Sequence, residues 1–483
     1  MAIVGIFNRI RYIVTLTFLL SILQHVLRVT STTATEGIFE EIPSTNISIP
    51  LFLIDKSYMA YIYVGTSFPS LEHDKPYSAQ KKLVIVDTGS KNLVLPCKPC
   101  KQCGGNHFSP YPYDLEESST DTTPKCHEGC VFKTSKPCTI HPMNKLWKSD
   151  KCEFHQKYSE GSVITGFEVN DWVWFGSDDE RKSVDFYMQY GIFHTFGCQT
   201  KENGMIRDQY ADGVFGLGLL QYDDDDRDRR NQYVHFVNTM HKNRLVHHFA
   251  FSMCLSKDAG ILSLGGTSLH PYTDDLQNNT IMQRQPRHLQ RMIFEPLRKS
   301  TYYKVKVRSF FVGKERVNVN INIDHYDDDD DDDDDDTDSR ETINAFNDER
   351  GTIIDSGTTE SYFPEALAEP FREAWKKARG GAGPATEYDD ESHLFSFEEF
   401  SSLPVITIVL SHGYKWNIEP RYYASTDELD IDFERGWEGK VEFEFQLNFD
   451  ESKGCVLGAN VMMGHDILFD LSQQRVGIAK SIC

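Results

Sequence analysis

Val86-Asp87-Thr88-Gly89-Ser90 and Ile354-Asp355-Ser356-Gly357-Thr358-Thr359 are two copies of one short pattern, set far apart in a chain of 483 residues. Each has an apolar lead-in, an Asp, a small hydroxyl residue, a Gly and a second hydroxyl residue. Alone, either stretch reads as a strand running into a turn, because Asp favours turns and Gly supplies backbone freedom. Together they read as two related lobes, each delivering one carboxylate to a shared site. Two carboxylates held close cannot both ionise comfortably, so the pair keeps one proton between them. The ionised member can take a proton from a water while the protonated member donates to a peptide carbonyl, and the pair then protonates the leaving nitrogen. Titration belongs to the pair, so the sequence does not say which Asp carries the proton.

The flanking residues suit that task. Tyr58 onward alternates apolar and polar residues, and Lys82 to Val86 is a second strand that carries Asp87 at its end. Gly89 and Gly357 are expected to allow tight turns and bring backbone N–H groups to the carboxylates. Cys152 to Tyr158 and Val163 to Phe175 form the arms of an expected β-hairpin, with Tyr158-Ser159-Glu160-Gly161-Ser162 at its tip. Such a hairpin can be an ordinary exposed ribbon with a packing Tyr, or a cover that excludes water from the site. Ala211 to Leu217, Phe251 to Leu255, Ile261 to Gly266 and Arg475 to Ala479 supply further apolar strands, and a helix is expected around Tyr233 to His241.

The net charge of −23 includes ten consecutive Asp, Asp327 to Asp336, and the body is acidic without them. That balance argues against nucleic acid and anionic membrane surfaces as partners and mildly favours basic substrates. Ten adjacent like charges cannot bury, so residues 324–350 are expected to be a disordered surface insertion. A weak calcium buffer is the alternative, but the run lacks the spaced, Gly-turned ligands of a calcium loop.

Arg9 and Arg11 precede the mainly apolar stretch Tyr12 to Val26, so residues 1–29 read as a secretory signal or an uncleaved signal anchor, which would associate with a membrane. In an oxidising lumen the cysteines Cys97, Cys100, Cys103, Cys126, Cys130, Cys138 and Cys152 are expected to form disulfides that hold a loop-rich insertion over 97–152. In a cytosolic protein the same spacing with His107 would suggest zinc. The total of eleven Cys leaves at least one thiol over. Asn46 and Asn278 sit in glycan acceptor tripeptides.

With these motifs on both sides of the chain, residues 58–480 resemble the pepsin-like aspartic proteases. The resemblance implies a mostly β, bilobal fold with the site in a cleft between two β-rich lobes, and no metal or other cofactor. It places an N-terminal lobe at 56–250 with a flap at 154–166, and a C-terminal lobe at 251–483. Asp87 and Asp355 would be catalytic, Thr88 and Ser356 a hydrogen-bonded grip, and Ser90 and Thr358 bonds to the outer carboxylate oxygens. Tyr158, Glu160 and Gly161 would form the flap and touch substrate. Val94 departs from the family, where many members carry a Trp bonded to the flap Tyr. Residues 30–55 contain no basic prosegment, so activity is expected without removal of an inhibitory propeptide.

The Cys-rich insertion, the later ADGVFGLG stretch and FSMCL resemble the nepenthesin-like branch. PCKPCKQCGGNHFSPY followed by CEFHQKYSEGS narrows the resemblance to the plasmepsin V-like maturases, endoplasmic reticulum proteases of apicomplexan parasites. In that group the acidic flap residue, here Glu160, engages an Arg in substrates cut after Leu. Ser159 stands where that group has a Cys, and the chain ends at Cys483 with no apolar anchor, so retention in the reticulum would fall to the N-terminal segment, a partner, or nothing. The resemblance thus implies a monomeric endopeptidase of the secretory pathway acting on Arg-containing proteins or peptides. A broader secreted or vacuolar protease and a non-catalytic peptide-binding homologue are the alternatives.

Overall fold

The computed structural model describes residues 46–67, 78–98, 100–126, 129–132, 151–176, 189–219, 235–272, 285–298, 300–319, 335–381, 383–389, 391–428 and 431–483. The signal segment, Asn278, the acidic stretch 223–228 and residues 327–334 of the Asp run lie outside the described residues.

One pairing scheme occurs twice. In the first half, β3 (Ser78–Asp87) lies parallel to β8 (Gly213–Gly216), with Asp87 opposite Gly216. The next strand, β4 (Leu93–Pro96), runs antiparallel to β8 and parallel to β7 (Ile192–Glu202). In the second half, β11 (Thr352–Ile354) lies parallel to β14 (Cys455–Leu457). After it, β12 (Ser361–Pro364) pairs antiparallel with β14 and parallel with β13 (Leu447–Glu451). The two Asp motifs therefore sit at equivalent ends of equivalent strands. Buried apolar runs such as Leu93–Pro96 and Thr352–Ile354 suit strands covered on both faces.

The halves share a sheet. In it, β1 (Ile47–Ile54) pairs on one side with β2 (Ser57–Ser67) and on the other with β10 (Ala259–Leu264). From β10 the sheet continues through β9 (Ala250–Leu255) to β15 (His465–Asp470) and β16 (Arg475–Ile482). Ile47, Ile49 and Leu51 are buried and alternate with exposed Ser48 and Pro50, the period of a strand with one covered face. Residues 47–54 thus belong to the body, whereas the sequence suggested a lobe starting at 56. Pro50, a residue that argues against a central strand, masked this one. Aromatic side chains fill the joint: Phe251 stacks on Phe469 at 4.7 Å, and Tyr303 lies 4.4 Å from Phe469. The Tyr303 hydroxyl donates to the Leu217 carbonyl at 2.6 Å, tying the second half to the chain beside Asp87.

The insertion expected to be disordered over 324–350 is ordered in its C-terminal part. A helix spans Asp335–Asn347. Phe346 is buried 5.4 Å from Phe310, Thr342 accepts from the Val319 N–H at 2.8 Å, and Asn347 Nδ2 donates to the Val307 carbonyl at 2.7 Å.

Cys97 is bonded to Cys198, Cys100 to Cys103, Cys130 to Cys152 and Cys254 to Cys483, and Cys126 is also disulfide-bonded. These bonds consume the thiols a zinc site would need. His107 is engaged elsewhere, with Nδ1 2.8 Å from the Ala211 carbonyl and Nε2 3.3 Å from Glu202. Cys455 is the free cysteine among the described residues, and it is buried. The Asn46 side-chain amide donates to the Thr267 carbonyl at 2.6 Å, a bond that a glycan on this nitrogen would disturb.

Candidate active site

The strand ends bring Asp87 and Asp355 together between the halves. The clearest measure of closeness is at the glycines: a Cβ built on Gly89 would lie 2.5 Å from Asp355 Oδ2, and one on Gly357 would overlap Asp87 Oδ1. Neither glycine has a positive φ. The sequence suggested glycine for turn freedom; the structure requires it for clearance, since each glycine faces the other half's carboxylate. Each also points its N–H at its own motif's Asp, Gly89 to Asp87 Oδ1 at 2.7 Å and Gly357 to Asp355 Oδ1 at 3.0 Å.

Beneath the carboxylates the loops interlock. The Thr88 N–H donates to Ser356 Oγ at 3.1 Å and the Ser356 N–H donates to Thr88 Oγ1 at 2.9 Å. Each hydroxyl then reaches across to a carbonyl of the opposite strand: Thr88 Oγ1 to Ile354 at 3.1 Å and Ser356 Oγ to Val86 at 2.8 Å. Both residues are buried, so these four bonds act away from water, where leaving any partner unmet is costly. Behind them, the Leu217 N–H donates to the Asp87 carbonyl at 2.7 Å and the Asp355 N–H donates to the Leu457 carbonyl at 3.0 Å.

The outer bonds are less symmetric than expected. Thr358 Oγ1 donates to Asp355 Oδ2 at 2.9 Å. Ser90 Oγ is buried and meets no full hydrogen-bond partner among the described residues, although it lies close enough to Asp87 to favour the charged form. Burial, and after it the charge of Asp355, push the Asp87 carboxyl well above the ordinary carboxylate range.

The hairpin is formed by β5 (Glu153–Lys157) and β6 (Val163–Phe175), with Tyr158, Ser159, Glu160 and Gly161 in the turn. The Tyr158 N–H donates to the Ser162 carbonyl at 2.9 Å and the Gly161 N–H returns to Tyr158 at 3.1 Å. Gly161 has φ 98°, a left-handed conformation that favours glycine. Tyr158 packs on a small cluster containing Val94, Phe132, Phe154 and Ile164. Its hydroxyl is buried with no hydrogen-bond partner among the described residues, as the apolar Val94 beneath it would leave it. Burial, then the charges of Asp87 and Glu160, raise its pKa well above normal, which places both carboxylates within electrostatic reach of this phenol. Glu160 is exposed at the tip. Sequence reasoning missed Tyr303 and the segment around Phe132, because neither lies within a local motif.

A family model described as eukaryotic aspartyl protease matches residues 57–481. The chain belongs to that family. It is 30% identical to a plasmepsin V of Plasmodium falciparum over 199 residues, 41% of this chain and 29% of that protein. It is 31% identical to aspartic protease 5 of Toxoplasma gondii over 191 residues, 39% of this chain and 18% of that protein. Aspartic proteinase 39 of Arabidopsis thaliana aligns over 429 residues at 23% identity, covering 87% of this chain and 75% of that protein. The matches to the first two span less than a third of those proteins. Among the described residues no helix is long and apolar enough to cross a membrane.

Proposed function

We propose that the chain is an aspartic endopeptidase of the secretory pathway, with Asp87 and Asp355 as its catalytic pair and an Arg-directed, maturase-like specificity. The observation that carries the catalytic reading is the reciprocal lock of Thr88 and Ser356 under two carboxylates that face each other's glycines. Such a lock fixes the pair before substrate arrives, so the water between them needs little reorganisation. The Tyr158 hairpin would close over the bound peptide and exclude solvent. The endoplasmic reticulum reading rests on the signal-like N-terminus and the resemblance to the plasmepsin V-like proteases. A secreted or vacuolar protease of broader specificity is the second reading, and the Arabidopsis aspartic proteinase aligned along most of the chain supports the protease part alone.

The specificity part rests on Glu160, an exposed carboxylate at the hairpin tip within electrostatic reach of Tyr158. An Arg side chain meets a carboxylate with paired, charge-assisted hydrogen bonds. Glu160→Gln should lower kcat/KM for an Arg-containing peptide by about tenfold to a hundredfold, the worth of a hydrogen bond to a charged group. Cleavage of the matched Arg-free peptide should stay unchanged. An equal fall for both peptides would remove Glu160 from recognition, and an unaltered wild-type preference would assign it to another group.

The dyad also sets a pH profile. One proton on the pair is needed for turnover, and burial holds that proton on above the ordinary carboxylate range. Activity is therefore expected to persist into neutral pH and to fall on the alkaline side as the pair loses its last proton. A kcat/KM profile that already collapses between pH 4 and 6, read over about three pH units, would contradict this.

A further inference from the structure

Among the contacts between the Cys-rich insertion and the hairpin strand β6, one buried acid lies on the side toward Tyr158. Glu168 lies on β6 with no exposed surface, and it accepts the backbone N–H of Val131 at 2.9 Å and of Phe132 at 2.7 Å. The same spot is stapled covalently: Cys130, next to Val131, is bonded to Cys152, and the Cys152 carbonyl accepts the Glu168 N–H at 2.9 Å. The docked segment presents Phe132, 6% exposed, edge-on to Phe154 at 5.4 Å. Phe154 is on β5, four residues before Tyr158, and the ring of Tyr158 packs against the same cluster. Gly197 makes room for the aromatic pair, since a Cβ there would lie 2.7 Å from Phe154 and 3.0 Å from Phe132.

A buried carboxylate is an expensive way to hold a loop, since it gives up its hydration and must be repaid by hydrogen bonds. Here both of its oxygens serve main-chain N–H groups of the insertion, and no salt bridge offsets its burial among the described residues. We propose that Glu168 is a positioning residue: it clamps Val131–Phe132 beneath the hairpin so that Phe132 and Phe154 set the height of Tyr158 over Asp87. This rests on the reading of 154–166 as the flap. With the clamp intact the closed arrangement is preformed. Without it, substrate must order the hairpin at the expense of its own binding energy, and apparent affinity falls by the fraction of molecules in the competent state. At saturation the hairpin is closed in either case, so kcat is spared.

The test uses the full chain and an internally quenched peptide that the wild type cleaves, together with amide hydrogen exchange across 153–166, which requires no substrate. Glu168→Ala should raise KM about tenfold with kcat within about twofold, and should speed exchange in the hairpin. Glu168→Gln, which keeps one acceptor oxygen, should recover most of both. Phe132→Ala leaves the carboxylate and its main-chain partners in place but removes the ring, and should give the same KM-only change, so the clamp is tested even if Glu168→Ala folds poorly. Faster exchange with KM unchanged would overturn the link to substrate closure. Unchanged exchange and KM in Phe132→Ala, or a loss confined to kcat, would overturn the clamp itself.

Discussion

Asp87→Asn should lower kcat by on the order of 10⁴-fold and leave the protein at least as stable as the wild type at neutral pH. Asn has the shape of Asp and can still accept the Gly89 N–H, which reaches Asp87 Oδ1 at 2.7 Å, so the loop keeps its bond. It cannot take or return a proton, so the proposed pair loses one of its two proton-transfer groups. The stability half follows from the raised carboxyl. An acid whose pKa is higher in the folded state stabilises the fold below the ordinary carboxylate range. That contribution is lost as pH rises through the raised value, where burial resists the charge. The variant carries no such charge, so its advantage should grow from acid to neutral pH. Peptide cleavage and thermal melting at both pH values check the two halves. Cleavage within about tenfold of wild type would remove Asp87 from the chemistry, and a melting point that drops more at neutral than at acid pH would refute the burial argument.

Gly357→Ala is expected to be nearly as damaging, by about 10³-fold in kcat, through geometry alone. The added methyl would fall on Asp87 Oδ1 and lie 2.6 Å from its Cγ. Its neighbour is the Asp87 carboxylate, held by the Gly89 N–H at 2.7 Å in a loop that Thr88 and Ser356 lock to the opposite one. The loops must part or the carboxylate must rotate, and either separates the pair. Overpacking of this kind costs about 1–3 kcal/mol, so a lower melting temperature should accompany the lost activity. Gly89→Ala should match it, because its methyl would meet Asp355 in the same way. Wild-type kcat in either variant would show that the two loops are less tightly opposed than described.

The two Asp motifs were legible because each is a local pattern, a strand, an acid and a clearance glycine in consecutive positions. The hairpin around Tyr158 was legible for the same reason. What escaped were features made by distance. Glu168 and Phe132 are 36 residues apart, and nothing in either neighbourhood announces the other. The reason for Gly357 was misread because Asp87, which excludes a side chain there, belongs to the other half of the chain. The helix Asp335–Asn347 was hidden by the charge run that leads into it, since a count of like charges registers repulsion alone and overlooks the apolar anchor Phe346 further on. Val94 was noticed as a departure, and a Tyr158 hydroxyl with no partner among the described residues is its structural counterpart.

The strand Ile47–Ile54 also dictates an order of assembly. Ile47 pairs with Leu264, and the next layers of the same sheet wait for His465–Asp470 and Arg475–Ile482. A chain emerging from the ribosome can complete the pairing of β2 with β3 early, yet β1 keeps one bare edge until more than 200 further residues have been made. Contacts of such separation are slow to close and leave an apolar edge open to wrong partners meanwhile. The first half should therefore not reach its native state as an isolated nascent fragment, and shielding of that edge during synthesis becomes a condition for yield.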